Sequence, residues 1–417
     1  DRNSGSREQI MDIITNELKE VKEHFAVPRR TEIVEWSGDM EDEDLIERED
    51  MVVTVTSGGY IKRTPLIDFR AQRRGGKGLA GMQTKDEDVV TTLFVANTHT
   101  QLLFFTTDGM AYKLKTWRLP LGGRTAKGKA IVNILPIPVG VSIAAIMPVD
   151  VEEKEWDNLQ IVFATSAGDI RRNALSDFTN VRSNGKIAMD LKEGTELVNA
   201  RIAGEEDDVM LFTDSGRAIR FSTTAVRVFK GRKSTGVRGI KLLGQDKVVS
   251  MSVIRHFIAT PDERSAYLKM RRAVSGLVDE EVNSDEDEVN ENATISPERY
   301  AEMSASENLI LTITSGGAGK LSSSHDYPVR GGGMGVAAMD KTMRGGAIVA
   351  SFPVELEDQI MLATSNGQSI RVPIEGISFR SRSAGGVKVF DTKENEEVVS
   401  VAWIADQGDD TEEDQQD

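Results

Sequence analysis

Gln72-Arg73-Arg74-Gly75-Gly76-Lys77-Gly78 packs three cations and three glycines into seven residues. Glycine lets a backbone approach a ligand closely and adopt positive φ. Arginine and lysine beside it offer charge-assisted hydrogen bonds to phosphate. The chemistry within reach is anion binding, and a solvated basic turn is the plain alternative. Further cations stand in register with this stretch: Arg124, Lys127 and Lys129; Arg182 and Lys186; Arg232 and Lys233, with Arg238 just beyond; Arg330 before Gly331-Gly332-Gly333; and Arg380 and Arg382. A second series lies four residues after the glycine of a Thr/Ser–x–Gly turn: Arg63, Lys113, Arg172, Arg220 and Arg371. The fifth copy has Leu321 there and Lys320 one position early.

Other chemistries fit less well. Gly123-Arg124-Thr125-Ala126-Lys127-Gly128-Lys129 has the spacing of a nucleotide-binding phosphate loop. It is followed by Ala130, where that motif needs a hydroxyl for Mg²⁺, and Ile131-Val132-Asn133-Ile134 reads as strand rather than helix. His24, His99, His256 and His325 are scattered without metal spacing. Asp285-Glu286-Asp287-Glu288 lacks the glycine turn and fixed ligand set of a Ca²⁺ loop. The expectation is no catalytic residue, no metal site and no cofactor within these residues.

The elements that must position the cations repeat. The turn glycines are Gly59, Gly109, Gly168, Gly216, Gly317 and Gly367, about 50 residues apart with one longer gap. A β-branched or aromatic run precedes each, such as Leu102-Leu103-Phe104-Phe105, and a second strand follows that carries the base outward. A later glycine (Gly78, Gly128, Gly185, Gly236, Gly335, Gly386) opens a third strand, and a fourth closes the unit. Four-stranded units at this period predict an all-β fold of six stacked blades over residues 51–405. Residues 7–25 predict an amphipathic helix stopped at Pro28, within a connecting segment 1–36, and 37–50 an acidic linker. Residues 256–307 form an insertion between the fourth and fifth blades, with short helices expected from Pro261 and near Ser296-Pro297.

Charge separates along the same boundaries. The total is −16, but 1–50, 256–307 and the tail 406–417 carry −9, −8 and −7. The remaining body therefore carries +8 on 39 Lys and Arg. Cations on one edge of every blade suit a DNA backbone followed round a curved surface, through phosphate contacts and bending rather than base reading. The acidic segments are read as solubilising, or as competitors with DNA for the basic edge. A protein-binding propeller scaffold is the rival class. The absence of cysteine excludes disulfides and thiolate metal sites. No apolar run approaches the ~18 residues of a membrane-spanning helix.

The repeat containing Gln72–Gly78 closely resembles the C-terminal domain family of DNA gyrase A subunits, and that stretch matches the family's box at all seven positions. Val95-Ala96-Asn97-Thr98-His99, Ile131–Pro136 and Thr235–Ile240 match as well. Residues 7–35 resemble the last helix of the preceding breakage–reunion domain and the connection out of it. The related protein of topoisomerase IV is the alternative. The resemblance implies a β-pinwheel whose blades exchange strands and whose rim wraps duplex DNA. It implies partnership with the gyrase B subunit in an A2B2 heterotetramer in the bacterial cytoplasm, associated with the nucleoid. ATP and Mg²⁺ would act through other domains, driving negative supercoiling. The family's catalytic Arg–Tyr pair lies upstream of the matched region, so these residues would bend DNA without cleaving it. The insertion departs from the common pattern and leaves open whether the blades close into a ring there.

Overall fold

The computed structural model describes residues 7–25, 42–69, 84–85, 90–123, 125–276, 290–340, 342 and 345–404. The chain divides into two compact units, Asp1–Glu47 and Arg48–Asp417. The first holds helix α1 (Arg7–Phe25) and a 3₁₀ turn at Asp42–Leu45. Lys22 lies in the last turn of α1, where a cation interacts favourably with the negative end of the helix dipole. Ile13, Ile14, Leu18 and Val21 are exposed. Pro28, expected to end this helix, lies outside the described residues.

The second unit is all-β apart from its insertion. Each of six repeats opens with an antiparallel hairpin. These pair Asp50–Thr56 with Tyr60–Pro65, Gln101–Thr106 with Met110–Lys115, and Gln160–Thr165 with Asp169–Ala174. The others pair Asp207–Thr213 with Arg217–Ser222, Leu309–Thr314 with Ala318–Ser323, and Gln359–Thr364 with Gln368–Pro373. The first hairpin strand is joined by a return strand from the same repeat: Val90–Asn97, Ile143–Val149, Leu197–Ile202, Val248–Arg255, Ile348–Val354 or Val398–Ile404.

The remaining edge is filled by the next repeat. Lys129–Ala130 pairs with Tyr60 and Ile61 of the first hairpin, and Lys186–Ile187 with the second. Val237–Arg238, Val336–Ala337 and Val387–Lys388 do the same for the third, fourth and fifth. The first repeat supplies Thr84–Lys85 to Gln368 and Ser369 of the sixth, which closes the ring. That strand was expected directly after Gly78 and is found six residues later. A two-residue strand gains stability only on a neighbour's sheet, so the exchange locks successive blades together. The fourth-to-fifth exchange is intact, so the insertion leaves the ring closed.

Stacking buries both faces of each blade, which explains the unbroken apolar runs of the first hairpin strands. Leu102, Leu103, Phe104 and Phe105 are all buried. Phe105 meets Phe163 of the next blade edge-on at 5.3 Å and Phe178 at 5.6 Å. Such aromatic contacts add roughly 0.5–1.5 kcal/mol beyond area burial.

The insertion contains α2 (Pro261–Val274) and α3 (Pro297–Ser306). Thr260 and Glu263 form a capping box at the start of α2, with Pro261 in its first turn. Buried Tyr267 stacks on Tyr300 with centroids 5.0 Å apart and donates to Glu307 Oε2 at 2.6 Å. Arg271 lies 4.1 Å over the Phe379 ring of the sixth repeat. Buried His325 of the fifth repeat lies 2.7 Å, through Nε2, from the Met303 carbonyl of α3.

Burial pushes the His325 imidazole below its ordinary value, although the Met303 carbonyl and Glu307 oppose the shift and Arg220 and Arg264 assist it. The unfolded chain therefore binds the proton more tightly. Stability contributed by neutral His325 is present above the ordinary imidazole range and is lost as pH falls through it. Denaturant midpoints at pH 7.5 and 5.5 should differ more for the native chain than for His325→Gln. Equal differences would show that this ring does not carry the dependence.

Candidate nucleic-acid interface

Return strands of successive blades touch one another from the second repeat to the sixth, and the sixth touches the first. They are the innermost strands, and the exchanged strands are the outermost. Each described basic loop, in the second to sixth repeats, runs directly into an exchanged strand and so lies on the outer edge of the ring. Lys127, Lys129, Arg182, Lys233, Arg238 and Arg330 are exposed there. Lys230, which opens the basic loop of the fourth repeat, is exposed beside them, and so is Arg227, which was not among the expected residues. Lys127 Nζ sits 4.3 Å over the Tyr60 ring, and the Arg227 guanidinium 3.7 Å over Phe229. Gln72–Gly78 and Arg124 lie outside the described residues, as do the acidic runs 279–289 and 406–417.

The second series is placed differently. The expectation that the second hairpin strand carries its base outward is corrected by burial. Arg172 and Arg220 are buried, and Arg63, Lys113 and Arg371 are half-buried. Arg63 Nε donates to Leu119 O at 2.9 Å. Lys113 Nζ contacts Glu153 at 2.6 Å and donates to the Thr179 carbonyl. Arg220 Nε donates to Asp208 Oδ2 at 2.8 Å, and its Nη1 to Ser324 O of the next blade at 2.8 Å. Both faces of this strand pack against neighbours, so neither alternate set of side chains points to open solvent.

Some rim residues are also held inward. Buried Arg382 donates from Nε to Asp326 O at 2.7 Å and from Nη1 to Ala337 O at 2.6 Å. Lys186 Nζ donates to Asp177 O at 2.6 Å, and Arg232 Nη1 to Ile187 O at 2.5 Å. Arg380 is half-buried. Lys320 is fully buried and donates to Ser381, Arg382 and Ala384 carbonyls at 2.9, 2.5 and 2.6 Å.

Lys320 belongs to a set outside the four-residue register. Three residues after the turn glycine stand Lys62, Arg171 and Lys320 in the first, third and fifth repeats, with Tyr112, Ile219 and Ile370 between them. Lys62 Nζ donates to Gly123 O at 2.7 Å and Ala126 O at 2.9 Å. Arg171 Nη1 donates to Arg232 O at 2.7 Å and Ser234 O at 2.6 Å. Burial, then the neighbouring Arg232 charge, pushes the Arg171 guanidinium down to about 10, so it remains a cation at neutral pH. The signal for this set stands in the sequence one position before the register of the second series.

Ile131–Asn133, read as strand, is a 3₁₀ turn in which buried Ile131 donates its N–H to Gly59 O at 2.8 Å. Exchange pairing ends after two residues there, and the chain must turn back toward its own blade. Among the described residues no group of three or more His, Asp or Glu is placed to hold a metal ion. No described helix is long and apolar enough to cross a membrane.

The family model described as DNA gyrase C-terminal domain, beta-propeller, matches residues 50–97, 100–150, 160–203, 207–255, 308–355 and 358–402. The chain belongs to this gyrase C-terminal domain family. The six matches coincide with the six blades and leave the insertion unmatched. The DNA gyrase A subunit of Rickettsia bellii is 45% identical over 413 residues, covering 98% of this chain and 45% of the relative. That of Haemophilus influenzae is 37% identical over 407 residues, covering 97% of this chain and 43% of the relative. The chain thus spans less than half the length of these curated relatives. Among solved structures, the C-terminal domain of DNA topoisomerase IV aligns with a TM-score of 0.62 at 22% identity, over 86% of this chain and 94% of that one. A DNA gyrase A C-terminal domain aligns with a TM-score of 0.57 at 20% identity, over 85% of this chain and 100% of that one. These two likenesses concern the fold alone.

Proposed function

We propose that the propeller binds duplex DNA along its outer edge, without sequence preference, and bends the duplex round the ring. The observation that carries this reading is the set of exposed cations on the loops beside the outermost strands of a gyrase-family propeller. Phosphate contacts repeated at successive blades fix a path without reading bases. In the full-length gyrase A protein, paired with gyrase B in an A2B2 heterotetramer, the wrap presents one DNA segment over another with fixed handedness. ATP and Mg²⁺, held by other domains, then drive strand passage and negative supercoiling. These residues neither cleave DNA nor hydrolyse ATP. The setting is the bacterial cytoplasm.

A salt titration of duplex binding, together with ligation of a nicked circle in the presence of the chain, tests the reading. Affinity should fall steeply with salt, and the closed circles should carry a linking-number shift. Binding insensitive to salt would favour a protein scaffold instead. Replacing Arg73, Arg74 and Lys77 by alanine removes at most ~3 phosphate contacts, or a slope change of ~0.9 each. The prediction is that most affinity survives while the linking-number shift disappears. Complete loss of binding would assign the grip to Gln72–Gly78 rather than to the whole rim.

A further inference from the structure

The loop 231–236 is hydrogen-bonded one-sidedly. Its carbonyls turn onto the preceding blade: Gly231 O accepts from Asn173 Nδ2 at 3.0 Å, and Arg232 O and Ser234 O accept from Arg171. Arg171 is itself fully buried and held by Asn173 Oδ1 at 2.7 Å and by the Ala188 carbonyl. None of the six peptide N–H groups from Gly231 to Gly236 donates to another described residue. A trans peptide points its C=O and N–H in opposite directions. Carbonyls 231, 232 and 234 turned inward therefore direct the N–H groups of Arg232, Lys233 and Thr235 away from the blade. Lys233 and Ser234 are exposed on that outward side. Outward peptide N–H groups flanked by cations form an anion-binding concavity.

The same construction recurs at alternate blades. Lys320 collects the carbonyls of Ser381, Arg382 and Ala384, which turns the N–H groups of Ser383 and Gly385 away from it. Lys62 collects Ala126 O and so turns away the N–H of Lys127. None of these three N–H groups donates to a described residue. At the intervening seats stand Tyr112 and Ile219, and in the fourth blade it is Arg217, two positions before Ile219, that donates to carbonyls of the loop above, those of Met334 and Gly335.

We propose that loop 231–236 seats a backbone phosphodiester through its peptide N–H groups, and that Arg171 is its positioning residue, with Lys320 and Lys62 acting likewise two blades on either side. This deepens the reading of the rim as a DNA-binding edge and rests on it. Arg171 and Lys320 are fully buried and never touch DNA, and half-buried Lys62 spends its ammonium on the Gly123 and Ala126 carbonyls. They hold the loops with their donors outward, so the bound phosphate meets a preformed site.

The test compares Arg171→Met with Lys233→Ala in duplex binding across a salt series, with hydrogen exchange of the native chain alongside. Lys233→Ala removes a rim charge and should reduce the salt slope by ~0.9. Arg171→Met removes no rim charge, so affinity should fall roughly tenfold, about one charge-assisted hydrogen bond, at unchanged slope. In the native chain, the amides of Arg232, Lys233 and Thr235 should exchange freely and become protected when a short duplex is added. Inorganic phosphate alone should protect them only weakly. That arm separates a phosphodiester in duplex from a free anion, and equal protection by both would overturn the duplex assignment. Arg171→Met binding as tightly as the native chain would sink the positioning role while leaving the DNA reading intact. Should Arg171→Met fail to fold, the exchange measurement decides, and unchanged exchange at these amides on a bound duplex overturns the proposal. Absence of duplex binding by the native chain would instead remove the reading on which it rests.

Discussion

Replacing Asp208 by asparagine should destabilise the propeller by about 3–5 kcal/mol, the scale of breaking a buried ion pair from one side. Asp208 is fully buried. Its carboxylate accepts from Arg220 Nε at 2.8 Å and lies 2.9 Å from His256 Nδ1. Arg220 is 4% exposed and reaches across to Ser324 O of the fifth repeat. The carboxylate therefore balances a guanidinium that ties two blades together where the insertion leaves the fourth repeat. Asparagine keeps the shape and one acceptor but removes the charge. Arg220 is then left buried against a neutral amide, with its desolvation uncompensated. The double replacement Asp208→Asn with Arg220→Met removes both charges and should recover much of the loss. Urea unfolding of the three variants (each single replacement and the double) measures this. A loss below about 1 kcal/mol in Asp208→Asn would show that water or the Ser324 carbonyl already compensates the guanidinium.

The repeat was legible because two signals coincide in every copy. A strand buried on both faces, such as Leu102–Phe105, needs an unbroken apolar run, and a tight hairpin needs its glycine. Helices α2 and α3 were legible from Pro261 and Ser296-Pro297 for the same local reason. The exchange was not readable from periodicity. Val237–Arg238 is two residues long, too short to show a period, and its partner lies a full repeat upstream. Family resemblance supplied that expectation, and the pairing of Thr84–Lys85 with the sixth repeat completes it. The cations divided less well. Alternation along a strand distinguishes two faces, but in a stacked blade both faces are interior. Register alone thus ranked Arg172 and Arg220 with Lys127 and Arg238, although the first two are buried and the last two exposed. Loop residues next to an exchanged strand were the better guide, because that strand is the outer edge of every blade.

Gly335→Ala should open the ring at the insertion, at a cost of about 2–5 kcal/mol from backbone strain and overpacking together. Gly335 has φ +74°, and a Cβ placed on it collides with the Ala218 carbonyl and presses on Ile219 Cβ at 3.3 Å. The residues that follow it, Val336 and Ala337, form the exchanged strand on Ala218 and Arg217. Arg217 also donates to the Met334 and Gly335 carbonyls, pinning the approach from the side. The collision is with backbone, so no rotamer change relieves it, and the strand must lift off. Gly332, three residues earlier, provides the control. Its φ is +79°, but a Cβ there meets nothing within 4 Å. Gly332→Ala therefore bears the dihedral strain alone, about 1–2 kcal/mol. Thermal unfolding ranks the two variants, and amide exchange shows where the difference arises. In Gly335→Ala the amides of Val336 and Ala337 should lose protection, while the exchange at Val237–Arg238 stays closed. Equal stability of the two variants would mean that the close approach of Gly335 to Ala218 does not hold the fourth and fifth blades together.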